Sequence, residues 1–142
     1  MSGCIFCQIV NRSIEASVVY ENDATLAFMD LRQPNPGHVL VMPKKHVATI
    51  YELDPDTASQ LMQTVVIVAR GIRTIFNPEG LNIWQSSGEA AGQEVFHLHM
   101  HLLPRYDGDG LMHIYSEPPV RPQRKQLDQW AQQLAKLIQR PR

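Results

Sequence analysis

Apolar and polar residues recur along the chain with a changing period, and the changes mark its elements. Residues 18–20 and 25–30 are short β-branched and apolar runs on either side of Glu21-Asn22-Asp23, which suits a tight turn, so they predict a hairpin. Gln33-Pro34-Asn35-Pro36-Gly37 cannot continue a ladder, and a third strand is expected to start at His38 and stop at Pro43. The period then lengthens: Ala58, Leu61, Met62, Val65, Ala69, Ile72 and Phe76 recur at helical spacing, behind an Asp54 cap with Pro55 at the first position and ahead of an Asn77-Pro78 stop. Residues 81–85 alternate again, and the small-residue loop 86–93 leads into Phe96-His97-Leu98-His99-Met100-His101-Leu102-Leu103. At the ends, residues 5–10 predict one or two helical turns. Leu127, Trp130, Leu134, Leu137 and Ile138 predict an amphipathic C-terminal helix ended by Pro141. Consecutive short strands with helices set apart imply an α+β fold, an antiparallel sheet of about five strands with a long central helix.

Composition narrows this picture. With 142 residues, 44% of them hydrophobic, the chain is expected to form a single domain over residues 1–142. Net charge is −1 with acids and bases interspersed, which disfavours a nucleic-acid partner. No segment has the charged start and apolar run of a secretory signal, and none is long enough to span a bilayer, so a cytoplasmic protein without a membrane partner is expected. The only cysteines, Cys4 and Cys7, form a Cys-x-x-Cys pair, which in a reducing compartment points to a metal or a redox site.

The last predicted strand carries the chemistry. Alternation puts Leu98, Met100 and Leu102 on one face and His97, His99 and His101 on the other, about 6.6 Å apart in turn. Each imidazole is a base, nucleophile or metal ligand near neutral pH. The outer two lie about 13 Å apart at their backbones, too far to share one ion easily, so at least two roles must be divided among the three. An imidazole nitrogen can attack phosphorus while its neighbours orient it and stabilise developing charge.

The His-x-His-x-His pattern with apolar x resembles the signature of the histidine triad family of nucleotide hydrolases and transferases. Residues 30–46 resemble that family's second signature and Cys4-Ile5-Phe6-Cys7 the opening of its many bacterial members, so the likeness spans about residues 4–105 and leaves a tail, 106–142, without a readable motif. The resemblance implies catalytic roles: His99 as the nucleophile on the α-phosphorus, with a covalent nucleotidyl intermediate released by water as a nucleoside monophosphate, His101 at the phosphate, and His38 supporting the triad. For nucleotide binding it implies Asp30 at the ribose, Phe6, Ile9, Phe28 and Leu31 as apolar walls around a purine base, and Ser86 and Gln93 at the phosphate. It implies a structural zinc on Cys4, Cys7, His46 and His97, no cofactor for catalysis, and a homodimer. His97 bound to zinc cannot also do acid-base work.

Plainer readings stand beside these. Asp30 suits a turn cap, the apolar wall residues suit a core, and His113 matches no motif position and reads as surface. Two departures affect the leaving group: Ser86 stands where the phosphoramidase branch commonly has Asn, and Glu94 where it has a Ser that can donate a proton. Phosphoramidates, other nucleotidyl conjugates and dinucleoside polyphosphates all fit. The rival functions are a nucleotide-binding regulator without turnover and a metal-dependent hydrolase with zinc at the triad.

Overall fold

The computed structural model describes residues 3–111 and 117–139; His113 and the Pro141 stop lie outside them. The chain divides into two compact units, residues 1–110 and 111–142. The first holds α1 (Ile5–Val10), β1 (Val18–Glu21), β2 (Thr25–Met29), β3 (Val39–Pro43), α2 (Pro55–Phe76), β4 (Gly80–Gln85) and β5 (Met100–Arg105), and the second holds α3 (Arg124–Ile138). Among the described residues no helix is long and apolar enough to cross a membrane.

The five strands form one antiparallel sheet in the order β1-β2-β3-β5-β4. Every residue of β3 is buried, which explains its unbroken apolar run: the strand is covered on both faces. On one face Leu61, Val65, Val68 and Ile72 of α2 close on Ala27, Val39, Val41, Leu98 and Leu102. On the other, Phe6 of α1 packs with Leu26, Phe28, Leu40 and Met42. The period-2 pleat sorts neighbouring residues between these two cores.

Helix α2 begins and ends as the sequence predicts. Asp54 accepts from the Thr57 backbone N–H at 3.0 Å and the Thr57 hydroxyl at 2.7 Å, and these bonds, with Lys45 beside them, pull its carboxyl down to about 2. Asn77 closes the helix in the left-handed region at φ 46°.

The histidine strand differs from expectation. Its ladder starts at Met100, opposite Val41 and Gln85, and residues 96–99 are unpaired as strand. Beyond Met42 the neighbouring strand reaches Pro43, which has no N–H and whose carbonyl faces the His97 ring at 2.8 Å, while Leu98 donates its N–H to Val47 O at 2.7 Å. The alternation of faces nevertheless persists through this irregular stretch, since Leu98 and Leu102 both enter the core beneath α2.

Gln33 sets the entry to β3. Its Nε2 donates to the carbonyls of Asp30 and His38, and its Oε1 accepts from the N–H groups of Gly37 and His38. Gly37 itself, at φ +103°, lies so close to Phe76 and Pro104 that an added Cβ would stand 2.8 and 2.9 Å from them. The Pro-rich loop is thus a tight clamp that delivers His38 beside β5.

Candidate active site

On the face of the sheet opposite α2 lies a cavity of about 530 Å³, within the roughly 300–1,000 Å³ usual for small-molecule sites. Its apolar part is lined by Phe6 and Ile9 from α1, Phe28 from β2 and Leu40 from β3; its polar part by Asp30, Trp84, Ser86, His99 and His101. A planar apolar group therefore has one end of the cavity and a charged, hydrogen-bonding group the other. Leu31 lines the cavity from a fully exposed position, so it forms rim, not wall.

Each histidine has a distinct environment. The Nδ1 of His99 faces the His97 carbonyl at 2.7 Å. A carbonyl only accepts, so Nδ1 carries the proton and Nε2 carries the lone pair. Burial holds this imidazole below its ordinary range, against the opposing bond to the His97 carbonyl and the nearby Asp30 and Glu94 carboxylates. His99 is thus a neutral ring with a free lone pair, the form in which imidazole is a nucleophile.

His101 lies 4.9 Å from His99, ring centre to ring centre, and stacks on Trp84 at 4.4 Å with the planes 2° from parallel. Behind it, His101 Nδ1 and His38 Nε2 are 3.0 Å apart, and His38 Nδ1 donates to the Arg32 carbonyl at 3.0 Å. Because the carbonyl fixes the His38 proton on Nδ1, a neutral His38 offers Nε2 as acceptor to His101 Nδ1–H. A proton added to this pair turns His101 Nε2 into a donor and spreads a positive charge over the hydrogen-bonded rings. Asp30, with Oδ2 at 3.6 Å from His38 Nδ1, stands where it would stabilise that charge. Burial first, then the neighbouring rings of His99 and His38, push His101 down to about 4.

Asp30 also holds the turn that the plainer reading expects, Oδ1 accepting from the Arg32 N–H at 2.8 Å. Of the expected site residues, Gln93 and His97 keep their side chains out of the cavity. Gln93 does not line the cavity: its buried amide accepts from Gly88 N–H and donates to the carbonyls of Ala48 and Val95, a loop-fixing role. His97 is fully buried and turned away from the cavity, so its catalytic part is limited to the backbone carbonyl that His99 uses. Ser86 does line the cavity.

The His97 ring belongs to a second cluster. Its Nε2–H donates to the Pro43 carbonyl at 2.8 Å, which leaves the Nδ1 lone pair facing Cys4 Sγ at 3.5 Å and Cys7 Sγ at 3.6 Å. His46 Nδ1 lies 3.3 Å from Cys7 Sγ. Cys4 caps α1, so the helix start fixes both sulfurs at one end. The four donor atoms lie within 4.8 Å of one another and can hold a metal ion. Asp30, His38 and His101 come equally close, but both ring nitrogens of His38 are engaged, one by His101 and one by the Arg32 carbonyl, so that set is a hydrogen-bonded chain.

Trp84 and Arg32 are cavity residues that pattern reading did not assign to the site, and Glu94, noted there as a departure bearing on the leaving group, lines it too. Only the strand register, which sets Trp84 opposite His101, shows why the tryptophan matters.

The histidine-lined cavity and sheet agree with the comparisons. The HIT domain matches residues 11–108. "Protein hit" of Bacillus subtilis is 48% identical over 109 residues, 76% of this chain and 75% of that one. An adenosine 5'-monophosphoramidase of Schizosaccharomyces pombe is 34% identical over 85% of this chain and 89% of its own. An adenylylsulfatase of Arabidopsis thaliana is 30% identical over 98% of this chain and 69% of its own. The crystal structure of a HIT family member from Bacillus subtilis aligns with TM-score 0.88 at 41% identity, covering 94% of this chain and 96% of that one. A zinc-bound histidine triad family protein from Mycobacterium smegmatis aligns with TM-score 0.73 at 32% identity, covering 96% of both chains. The chain belongs to the HIT domain family.

The Trp84 stack makes a prediction about His101. In Trp84→Ala, water reaches the ring and its titration, followed by NMR, moves up from about 4 toward the ordinary value near 6.5. An unfolded histidine binds its proton near 6.5 and folded His101 only near 4, so acidification through that window favours unfolding; the variant should lose less stability across it.

Proposed function

We propose that the chain is a nucleotide hydrolase that cleaves at the α-phosphate of a nucleotidyl conjugate through a covalent intermediate on His99 and releases a nucleoside monophosphate. The observation that carries this reading is the His99 ring, neutral, with its Nδ1 proton committed to the His97 carbonyl and its Nε2 lone pair left for the cavity. The base lies among Phe6, Ile9, Phe28 and Leu40, the ribose at Asp30, and the phosphate between His99, His101 and Ser86. Among relatives, one named an adenosine 5'-monophosphoramidase and one named an adenylylsulfatase both act on adenylyl groups, which supports a purine nucleotide substrate. On taking up a proton, the His38–His101 pair presents His101 Nε2–H to the phosphate oxygens. His99→Ala should lower monophosphate release by about 10⁴-fold or more, as loss of a nucleophile does, while nucleotide affinity persists. Release at the wild-type rate in that variant would refute the intermediate, and binding without release by the wild type would favour a nucleotide sensor.

The four-donor cluster we assign to a structural zinc. Zn–S near 2.3 Å and Zn–N near 2.0 Å at a tetrahedral angle give S···N edges of about 3.5 Å, and the sulfur-to-imidazole distances here run from 3.3 to 3.6 Å. Two thiolates and two imidazoles close the coordination shell, and the His97 Nε2–H bond to Pro43 orients one ligand as metal-bound histidines require. Purified protein should contain about one zinc per chain, and Cys4→Ser with Cys7→Ser should lose both the metal and a large part of its thermal stability. Unaltered zinc content in the double variant would overturn the assignment.

A second copy of the chain is the partner we propose for α2 and the outer edge of the sheet. Among the described residues strand β4 has a neighbour on one side only, and beside it Met62, Val66, Ala69 and Ile83 line an apolar groove of about 470 Å³. Met62, Val66 and Ile83 are exposed in the single chain. Met62→Glu with Val66→Glu should convert a dimer to a monomer by light scattering; a wild-type monomer would exclude the pairing.

A further inference from the structure

The charges around the cavity pose a problem that nucleophilic attack by His99 does not solve. Its lining includes three acidic side chains, Glu15, Asp30 and Glu94, and one basic side chain, Arg32, although a nucleotide presents anionic phosphates. Among the described residues Arg32 is therefore the one lining group with a permanent positive charge.

Its placement is unusually well determined for an exposed residue. The Arg32 N–H donates to Asp30 Oδ1 at 2.8 Å, and the Arg32 carbonyl accepts from His38 Nδ1 at 3.0 Å. The Arg32 backbone thus bonds both the Asp30 carboxylate and the His38 ring, which lie side by side. From there its guanidinium crosses the cavity mouth to Glu94 Oε2, 2.7 Å away and 62 residues along the chain, just before the triad. The two side chains are 72% and 67% exposed, and an ion pair that open to water contributes little to stability, so a competing anion displaces it readily. Of the five guanidinium N–H donors, a planar fork suited to phosphate or sulfate oxygens, Glu94 takes one.

Glu94 bears on the same question. Its bond to Arg32 keeps its carboxyl below the ordinary carboxylate range, so at neutral pH it has no proton to give a departing amine. A sulfate or a phosphate chain needs none, because it departs as a stable anion.

We propose that Arg32 is a specificity-determining residue, transferred from Glu94 to an anionic leaving group, a phosphate chain or a sulfate, carried on the α-phosphorus. As the His99 Nε2–phosphorus bond forms, the phosphorus–oxygen bond to the leaving group breaks and its electron pair stays on the departing oxygen, against the Arg32 N–H donors. Water then replaces the histidine on phosphorus and loses its proton to solvent. The inference rests on the nucleotidyl-transfer reading and names the leaving group that reading leaves open.

The test compares the full chain with Arg32→Gln and Glu94→Gln on three substrates: adenosine 5'-phosphoramidate, adenylyl sulfate and diadenosine tetraphosphate. Arg32→Gln should lower kcat/KM for the anionic leaving groups, relative to the phosphoramidate, by about tenfold or more, the size of a lost charged hydrogen bond. Glu94→Gln should shift that ratio the opposite way. A shift confined to adenylyl sulfate identifies sulfate as the leaving group, and one confined to diadenosine tetraphosphate identifies a phosphate chain. Equal losses on all three substrates, or a greater loss on the phosphoramidate, would overturn the proposal. Binding separates its failure from failure of the hydrolase reading. If no substrate turns over, adenosine 5'-tetraphosphate should still bind more tightly than AMP, and Arg32→Gln should abolish that difference; an undiminished difference would refute the role of Arg32.

Discussion

A backbone carbonyl facing one nitrogen of an imidazole decides where that ring's proton sits, and the site depends on three such contacts. Pro43 O takes His97 Nε2–H, His97 O takes His99 Nδ1–H, and Arg32 O takes His38 Nδ1–H. A carbonyl has lone pairs and no hydrogen, so each contact excludes one tautomer. The remaining lone pairs then point to three different tasks: toward the cysteines for His97, toward the cavity for His99, toward His101 for His38. The neighbouring side chains need only keep the rings neutral, and burial does that for His97, His99 and His101 alike. Chemically identical side chains are differentiated by backbone placement.

Those carbonyls are where they are because of the sheet's register and the loop before it. β3 pairs with β5 so that Leu40 lies opposite His101, and Gln33 ties the loop carrying Asp30 and Arg32 to the start of β3 with four hydrogen bonds. The same pleat that aims Val39 and Val41 at α2 aims Leu40 and Met42 at Phe6. Core and cavity wall are therefore consecutive residues of the same strands, and a slip by one residue would exchange them.

Much of this was legible in the sequence, and the reasons are local. Helix α2 declares itself through Asp54, Pro55 and the Asn77 stop, all short-range signals, and the structure repeats them. The hairpin of β1 and β2, the third strand and β4 follow from alternation and turn residues. The candidate ligands Cys4, Cys7, His46 and His97 do converge, as do His38, His99 and His101. What alternation could not convey is which partner a side chain meets. Trp84 reads as an ordinary strand residue until register sets it on His101, and Gln93 reads as a phosphate ligand until Ala48, Val95 and Gly88 are found around its amide. Arg32 and Glu94 lie too far apart in the chain for any local pattern to join them.

The one expected element that is shorter than its pattern explains the site best. Strict alternation from Phe96 predicts a strand, yet pairing begins only at Met100. Continued at the same register, the ladder would set Leu98 opposite Pro43, which has no N–H to offer the Leu98 carbonyl. The ladder stops, Leu98 gives its N–H to Val47 O, the His97 carbonyl meets the His99 side chain two residues on, and the His97 ring takes the Pro43 carbonyl. A histidine strand paired along its full length would display three imidazoles on one face with their protons unassigned. Breaking it before Met100 gives His99 its tautomer and turns His97 toward the cysteines.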